Sequence, residues 1–384
     1  MQGANDFMEF AEVTGPATRR DFHRLPFLIY KNDPNWVPHL QQEIEEVFNP
    51  KHNACFSYGE AVRWVLYGKT KEPIGRVAAF INNKTAYSYG QPTGGIGFFE
   101  CIEDKASAFA LFDKCRDWLQ ARGMKAMDGP VNFGEKDRFW GLLAEGDNTR
   151  AIYAMNHNPP YYKRFFEEYG FTNFYEQIVY YRNTTDPPNA RLVRLAERVT
   201  GDPNYRFETL DKKQAAKYAE DFRTIYNKAW KAERADFEEL SSERALELMR
   251  KLKPILDEDT NWFAYYKNEP AGVFICIPEL NAIMRHVKGN FNLWGKLKFL
   301  WYMKTEGCRT MLGIVFGIAP EFQGKGIEAA IFTELGKRIQ PKKSYDQILI
   351  SWIGNFNQKM MHLLTALLDA VPYKKFITYR YFFR

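Results

Sequence analysis

Apolar and polar positions along the chain alternate between a strand period and a helix period, and the alternation comes round twice. PIGRVAAFINN, from Pro73, reads as one strand and GGIGFFECIE as another, and Lys105–Ala121 reads as a helix with Phe109, Phe112 and Trp118 at helical spacing. MKAMDGPVN predicts a strand running into a loop, NPPYYKRFFEEYGF a short helix closed by glycine, and FYEQIVYY a further strand. RNTTDPPNARL, from Arg182 to Leu192, is rich in Asn, Thr and Pro and interrupts the pattern as a linker. After it YRFETLD predicts a strand, Lys212–Trp230 an amphipathic helix, and SSERALELMRKL a helix opened by a serine pair. NWFAYYKN and AGVFICIPEL predict a hairpin, and FNLWGKLKFLWYM a helix. TMLGIVFGIAP predicts a strand, Ile327–Ile339 a helix, QILISWI a strand, Gln358–Asp369 a helix and KKFITYRYFF a closing strand. Strand, helix, strand, helix, strand therefore occurs in each half at similar spacing. The expected fold class is α+β, with two related mixed-sheet domains in tandem, residues 1–185 and 190–384.

Composition narrows this picture. A length of 384 residues suits two or three domains, and an aromatic share of 16% suits packed mixed sheets better than a helical bundle. Residues 1–190 carry 21 Lys+Arg against 24 Asp+Glu, whereas residues 191–384 carry 32 against 23. The excess is diffuse, with no basic stripe and no nucleic-acid-binding signature, so no nucleic-acid partner is expected and a polyanionic small ligand fits as well. Five scattered cysteines without a CxxC pair, and six histidines without ligand spacing, argue against a disulfide framework and against a metal site. MQGANDFMEF lacks the order of a signal peptide, and no apolar run reaches about 18 residues. The expectation is a cytoplasmic protein with no membrane partner. FNLWGKLKFLWYM offers a membrane-surface reading through Lys296 and Lys298 among its aromatics, but is expected to pack beside the neighbouring strand with its lysines outside.

The candidate chemistry lies in GIAPEFQGKGIEAAIF, Gly317 to Phe332. Glycines at 324 and 326 leave backbone N–H groups uncovered just where a helix begins, which makes a seat for a phosphate group. No GxxxxGK[ST] run occurs. A dinucleotide fingerprint is formally present as Gly324, Gly326 and Ala329, but the following strand, QILISWI, has its acidic neighbour Asp346 at the start instead of the end. VFGIAPEFQGKGIEAAIF instead resembles the acyl-CoA loop of the GNAT (general N-acetyltransferase) superfamily, V-x-P-x-x-[RQ]-x-x-G-x-[GA], matched by Ile318, Pro320, Gln323 and Gly326. SWIGNFNQKMMHLL and the closing YRYFF resemble the strand, asparagine, helix and last strand that follow it, with Asn357 in the asparagine position. With GFFECIED, WLQARGMKAMDGPVN, WGLL and NPPYY in the first half, the chain from about Arg76 onward is similar to a bacterial family of tandem GNAT-like proteins of unassigned substrate.

The resemblance implies an acyl-CoA co-substrate, with acetyl-CoA the expected donor, and direct transfer to a small-molecule or peptide amine. Pantetheine would pair with the backbone of Phe316 and Ile318. The pyrophosphate would rest on Gln323, Gly324, Lys325, Gly326 and Ile327, and Asn357 would hold the cofactor chain. Glu279, in IPELN at a strand end, is the candidate base, and Asn281 would orient the acceptor. Counting seven from Asn357 lands on Leu364, where the family has a tyrosine, so Tyr373 becomes the candidate acid. Glu328 stands where the motif has Gly or Ala and could compete for the phosphate amides. The first half has no QxxGxG before Lys105, so it is read as a degenerate domain whose Glu100, Asn132 and Tyr161 wall an acceptor pocket. The rival readings are a non-catalytic acyl-CoA-binding or interaction protein and an aminoacyl transferase using charged tRNA; the diffuse charge disfavours the latter.

Overall fold

The computed structural model describes residues 8–88, 90–231 and 239–383. The chain forms two compact units that interleave along the sequence. The first takes Met1–Gln177, Asn281–Gly307 and Lys374–Arg384, and the second Ile178–Leu280 and Cys308–Tyr373. Against the expected halves 1–185 and 190–384, two later segments thus join the first unit.

The first unit opens with β1 (Glu9–Glu12), α1 (Pro16–Ile29), α2 (Gln41–Val47), β2 (Gly59–Tyr67), β3 (Pro73–Asn82) and β4 (Thr93–Cys101). Helix α3 (Lys105–Gln120) crosses over to β5 (Ala126–Gly129), and β6 (Leu142–Glu145), α4 (Tyr161–Tyr169) and β7 (Thr172–Asn183) follow, β7 passing into the second unit after Gln177. The second unit contains α5 (Ala190–Thr200), β8 (Tyr205–Thr209), α6 (Ala215–Lys231), α7 (Ser242–Leu252), β9 (Trp262–Tyr266) and β10 (Glu269–Pro278). Helices α8 (Asn281–Val287) and α9 (Leu293–Thr305) belong to the first unit. The second unit resumes with β11 (Thr310–Ile318), α10 (Ile327–Ile339), β12 (Gln347–Gly354) and α11 (Gln358–Ala366), and β13 (Val371–Phe382) returns to the first.

Strand order in the first unit is β1-β2-β3-β4-β5-β13, with β6 also on β13; in the second it is β12-β11-β10-β9-β8. In each, a meander of antiparallel strands ends in one parallel pair, β4 with β5 and β11 with β12, joined by a helical crossover. The β9–β10 hairpin turns at Lys267 and Asn268, both with positive φ (47° and 69°), the geometry a two-residue loop needs to match strand twist. The crossover helices bury their apolar faces on the sheets. Phe112 of α3 stacks on Phe99 at 4.8 Å, and Phe332 of α10 meets Phe274 at 4.9 Å and Phe316 at 5.4 Å.

Three expectations are corrected here. The Arg182–Leu192 stretch is no free linker: β7 runs to Asn183, Thr184 donates its N–H to Asp346 O at 2.9 Å and its hydroxyl to Tyr345 O at 2.5 Å, and α5 starts at Ala190. Tyr373, which the expected closing strand KKFITYRYFF leaves just outside itself, lies within β13. Helix α9 does not bury an apolar stripe beside a strand. Leu293, Trp294, Leu297, Leu300 and Trp301 are all exposed, because α9 packs chiefly on α8 through its other side.

Strand β13 is tied to β5 by a bidentate pair in which Arg380 Nε and Nη2 donate to Asp128 Oδ1 and Oδ2 at 2.6 and 2.7 Å. Both side chains are mostly buried, and burial raises the Asp128 carboxyl above the usual range. Replacing Arg380 with Met strands that carboxylate, so we expect a loss of about 3–5 kcal/mol in urea unfolding, largely recovered when Asp128→Asn is added.

Candidate functional site: an open strand edge above a glycine loop

The site in the second unit begins with a mismatch between neighbouring strands. β11 and β12 pair at four positions, from Thr310 opposite Gln347 to Gly313 opposite Ile350. β10 follows β11 to its end, where Gly272 faces Ile318. Between the pairs Cys276–Gly313 and Ile275–Val315 one residue of β11, Ile314, has no counterpart. Such a bulge bends its strand and increases its twist, so β11 leaves β12 after Gly313 while remaining bonded to β10. The β11 edge from Ile314 to Ile318 that β12 abandons can accept an extended guest chain. Phe316 and Ile318 turn their side chains into the core under α10, leaving their backbone for that edge.

At the far end of β11 a single turn, Pro320–Phe322, leads into the glycine loop. The Gln323 amide donates to Ile318 O at 3.2 Å and ties the loop to the strand end. Gly324 and Gly326 have φ of 72° and 90°, and Gly326 is the N-cap of α10, whose first helical bond runs from Ala330 N–H to Gly326 O. The amides ahead of that bond have no partner within the helix. A Cβ on Gly324 would meet nothing within 4 Å, whereas one on Gly326 would lie 3.1 Å from Val199 Cγ2. Lys325 is exposed, its ammonium 5.2 Å from the centre of the Phe322 ring, and Ile327 is buried.

Beside the loop an open groove of ≈ 470 Å³ is lined by Glu328 of α10 and by Gln358, Lys359, His362, Leu363 and Leu367. Asn357 heads α11, accepting the Met360 N–H at 3.1 Å, so its carbonyl oxygen is engaged as a cap. Glu328 Oε2 is buried and has no hydrogen-bond partner among the described residues.

No family model matches the chain. It is 27% identical over 356 residues to the bacterial ceramide synthase of Caulobacter vibrioides, spanning 91% of each chain. It is 25% identical over 364 residues to protein YghO of Escherichia coli, spanning 93% of this chain and 91% of that one. Among solved structures, a tandem GNAT protein from the clavulanic acid biosynthesis pathway aligns with a TM-score of 0.56 over 98% of both chains, at 11% identity. The chain has the tandem GNAT fold. A GCN5-related N-acetyltransferase from Sphaerobacter thermophilus aligns at 0.51, with 10% identity, over 98% of this chain and 96% of that one.

Within this tandem GNAT fold the residues expected from sequence separate into two groups. Phe316, Ile318 and Gln323–Ile327 form one continuous strand end, loop and helix start, with Asn357 heading α11, the helix that flanks the groove. Glu279 stands apart from them: it is buried, and its N–H donates to Thr310 O at 2.9 Å, at the end of β11 opposite to the loop. Asn281 is the first residue of α8 and donates its amide to Ala151 O at 2.9 Å. Tyr373 stacks on Tyr181 with 5.7 Å between ring centres. Leu364 is fully buried in the core.

Sequence reasoning missed Ser351, one residue past the last β11–β12 pair, whose hydroxyl donates to Gly313 O at 3.3 Å where the strands part. It also missed Trp230 of α6, whose ring would come within 2.6 Å of a Cβ at Gly317. Lys359 and His362 were legible as an i, i+3 pair in the first turns of a predicted helix.

The first unit of the tandem GNAT fold repeats the strand geometry. β4 and β5 pair from Thr93–Ala126 to Gly95–Asp128, and β4 then continues to Cys101 through a bulge at Phe98, φ 52°. No loop follows. Asp104 caps α3, accepting the Ser107 N–H at 2.7 Å and the Ser107 hydroxyl at 2.6 Å, so a chain carboxylate already occupies the helix start. Glu100 accepts from the Tyr30 and Tyr162 hydroxyls at 2.7 and 2.9 Å and from Arg76 at 3.4 Å. Burial lifts its carboxyl above the usual range. The Tyr161 hydroxyl donates to Cys101 O at 2.8 Å, and buried Asn132 donates to Glu135 O at 3.2 Å. A small cavity of ≈ 50 Å³ sits among His23, His39, Arg76, Glu100 and His157.

Burial, reinforced by Arg76 and Arg138, lowers the His39 imidazole to about 3. His23 and His157 are also lowered, mainly by burial. The unfolded chain takes up these protons below about pH 6.5 and the folded chain only at lower pH, so stability falls as pH drops below that value. We expect the urea midpoint to fall between pH 7 and pH 5 and the slope to shrink in His39→Gln. For the loop, Gly326→Ala should cost more stability than Gly324→Ala. Each introduces a strained positive φ worth about 1–2 kcal/mol, and Gly326→Ala adds the contact with Val199.

Proposed function

We propose that this protein is an acyl-CoA-dependent N-acyltransferase whose donor binds in the second unit. The observation that carries the reading is the abandoned edge of β11 leading directly into a positive-φ glycine loop at the start of α10. Amides along Ile314–Ile318 suit the two amide groups of pantetheine, and the uncovered amides from Gly324 to Glu328 suit a pyrophosphate. Lys325 and Lys359 would add positive charge around it.

The donor's thioester supplies an activated acyl carbon. An acceptor amine forms the new C–N bond there, the C–S bond breaks, and the amine proton passes to a base or to water as the thiolate leaves. The Ser351 hydroxyl, at the parting of the strands, would be the group to bond the reacting atoms. Glu279 remains a candidate base only through intervening water, because its backbone is held at the opposite end of β11. Asn281 reads as a brace for the Ala151 segment, and Tyr373 as a stacking partner. The first unit reads as scaffold, since Asp104 fills the position a phosphate would take.

The motif implies acetyl-CoA, but the resemblance to a ceramide synthase supports a longer acyl chain and a lipid amine. A ceramide is an N-acylated long-chain amino alcohol. An acyl-CoA donor is also consistent with the cytoplasm, the location expected from sequence.

Calorimetric titration with acetyl-CoA and palmitoyl-CoA, followed by thiol release with a long-chain amino alcohol, tests this reading. Micromolar binding is expected, weakened at least 100-fold by Gly326→Glu, with turnover higher for the longer donor. If neither donor binds, a non-catalytic interaction role replaces the enzyme reading. Glu328→Ala removes a carboxylate from the phosphate seat and should tighten donor binding about five-fold, the effect of ~1 kcal/mol at a helix start.

A further inference from the structure

Helix α9 is apolar on two sides. Its inner side meets the first unit: Tyr302 stacks on His286 with 3.7 Å between ring centres, and Phe299 meets Phe291 edge-on at 5.6 Å. Gly295 is buried there, and a Cβ on it would lie 2.1 Å from Asn290 O, so the helix sits close on its own entry turn. The outer side carries Leu293, Trp294, Leu297, Leu300 and Trp301. Both Leu293 and Trp294 are 72% exposed and Trp301 is 66% exposed. At 3.6 residues per turn these five fall within an arc of about 120°. Lys296 and Lys298 are exposed and fall on its two borders, and exposed Lys304 ends the last turn.

An outward stripe of two tryptophans and three leucines is far more apolar than a water-facing helix needs, and such a patch marks a binding face. The charge around it indicates which kind. From Asn281 to Thr305 there is no Asp or Glu, while Arg285, Lys288, Lys296, Lys298 and Lys304 are all cationic. Glu306, just beyond, is already paired with Arg285 at 3.0 Å. A cationic border around a Trp/Leu stripe matches an anionic lipid surface, where the rings seat at the headgroup boundary and the lysines reach out to phosphates. No helix among the described residues is long and apolar enough to cross a membrane, so the contact would be in-plane.

We propose that α9 docks the protein in the plane of an anionic phospholipid bilayer, in place of the sequence-based expectation of no membrane partner. Leu293, Trp294, Leu297, Leu300 and Trp301 enter the interface, and Lys296, Lys298 and Lys304 contact the headgroups. The proposal does not depend on acyl transfer.

The test is flotation of the full chain with vesicles of phosphatidylcholine alone or of phosphatidylcholine with phosphatidylglycerol, at low and high salt, beside analytical ultracentrifugation without lipid. The wild type should float with the anionic vesicles and be released by salt. At about 1 kcal/mol per lysine, Lys296→Glu with Lys298→Glu should weaken partitioning at least 25-fold. Trp294→Ser with Trp301→Ser should abolish flotation without shifting the thermal midpoint, since both rings face solvent. The proposal is overturned if the wild type stays with the soluble fraction, or if either double variant floats as well as the wild type. It is equally overturned if the wild type is a dimer that the tryptophan changes make monomeric while no vesicle is bound, which would assign the face to a second copy.

Discussion

The second unit turns on one residue that β10 does not match. With Ile314 inserted, β11 cannot keep register with β10 on one side and stay beside β12 on the other. The sheet resolves the conflict by keeping the antiparallel contact and giving up the parallel one beyond Gly313. Each backbone bond forgone there is worth about 0.5–1.5 kcal/mol, and the deficit is tolerable because Phe316 and Ile318 remain anchored under α10. The same strand end then sets the loop: Ile318 O holds Gln323, Gln323 leads to two positive-φ glycines, and these set the direction in which α10 starts. Edge, loop and helix start are therefore consequences of one insertion.

The two units show what the start of the crossover helix contributes once the strand geometry is fixed. Both have a short parallel pair and a bulge, at Phe98 and at Ile314. In the first, the chain turns immediately and supplies its own anion, Asp104, to the helix amides. In the second, seven residues intervene between the strand end at Ile318 and the cap, which is a glycine that offers no side chain. Glu328 is an intermediate case, the second residue of the helix, a carboxylate whose buried Oε2 has no partner among the described residues.

Features encoded by adjacent residues were readable in the sequence. The α10 limits Ile327–Ile339 match the expectation, the β9–β10 hairpin lies where the turn residues put it, and the glycine loop is specified by a few consecutive positions. Features that depend on distant partners were not. The bulge at Ile314 is defined only by its register against Cys276 and Ile275. Helices α1 and α2 escaped notice because one carries Pro26 inside and the other spans seven residues, so neither shows a clean period. Glu279 was singled out for its type at a strand end, but which end of β11 that strand meets is a matter of pairing direction. In α9 the sequence displays apolar residues all round, and only packing reveals which of them remain uncovered.

The interleaving of the units has a consequence for how the chain is made. Residues Lys374 to Phe382 contribute the strand that pairs with β5, yet about 250 positions separate Arg380 from Asp128. During synthesis β5 would wait as an open edge while the entire second unit is translated. Contacts of such long sequence separation close late and slowly. Removing the eleven residues after Tyr373 would therefore injure the earlier-made unit, and no single cut in the gene would yield either unit whole.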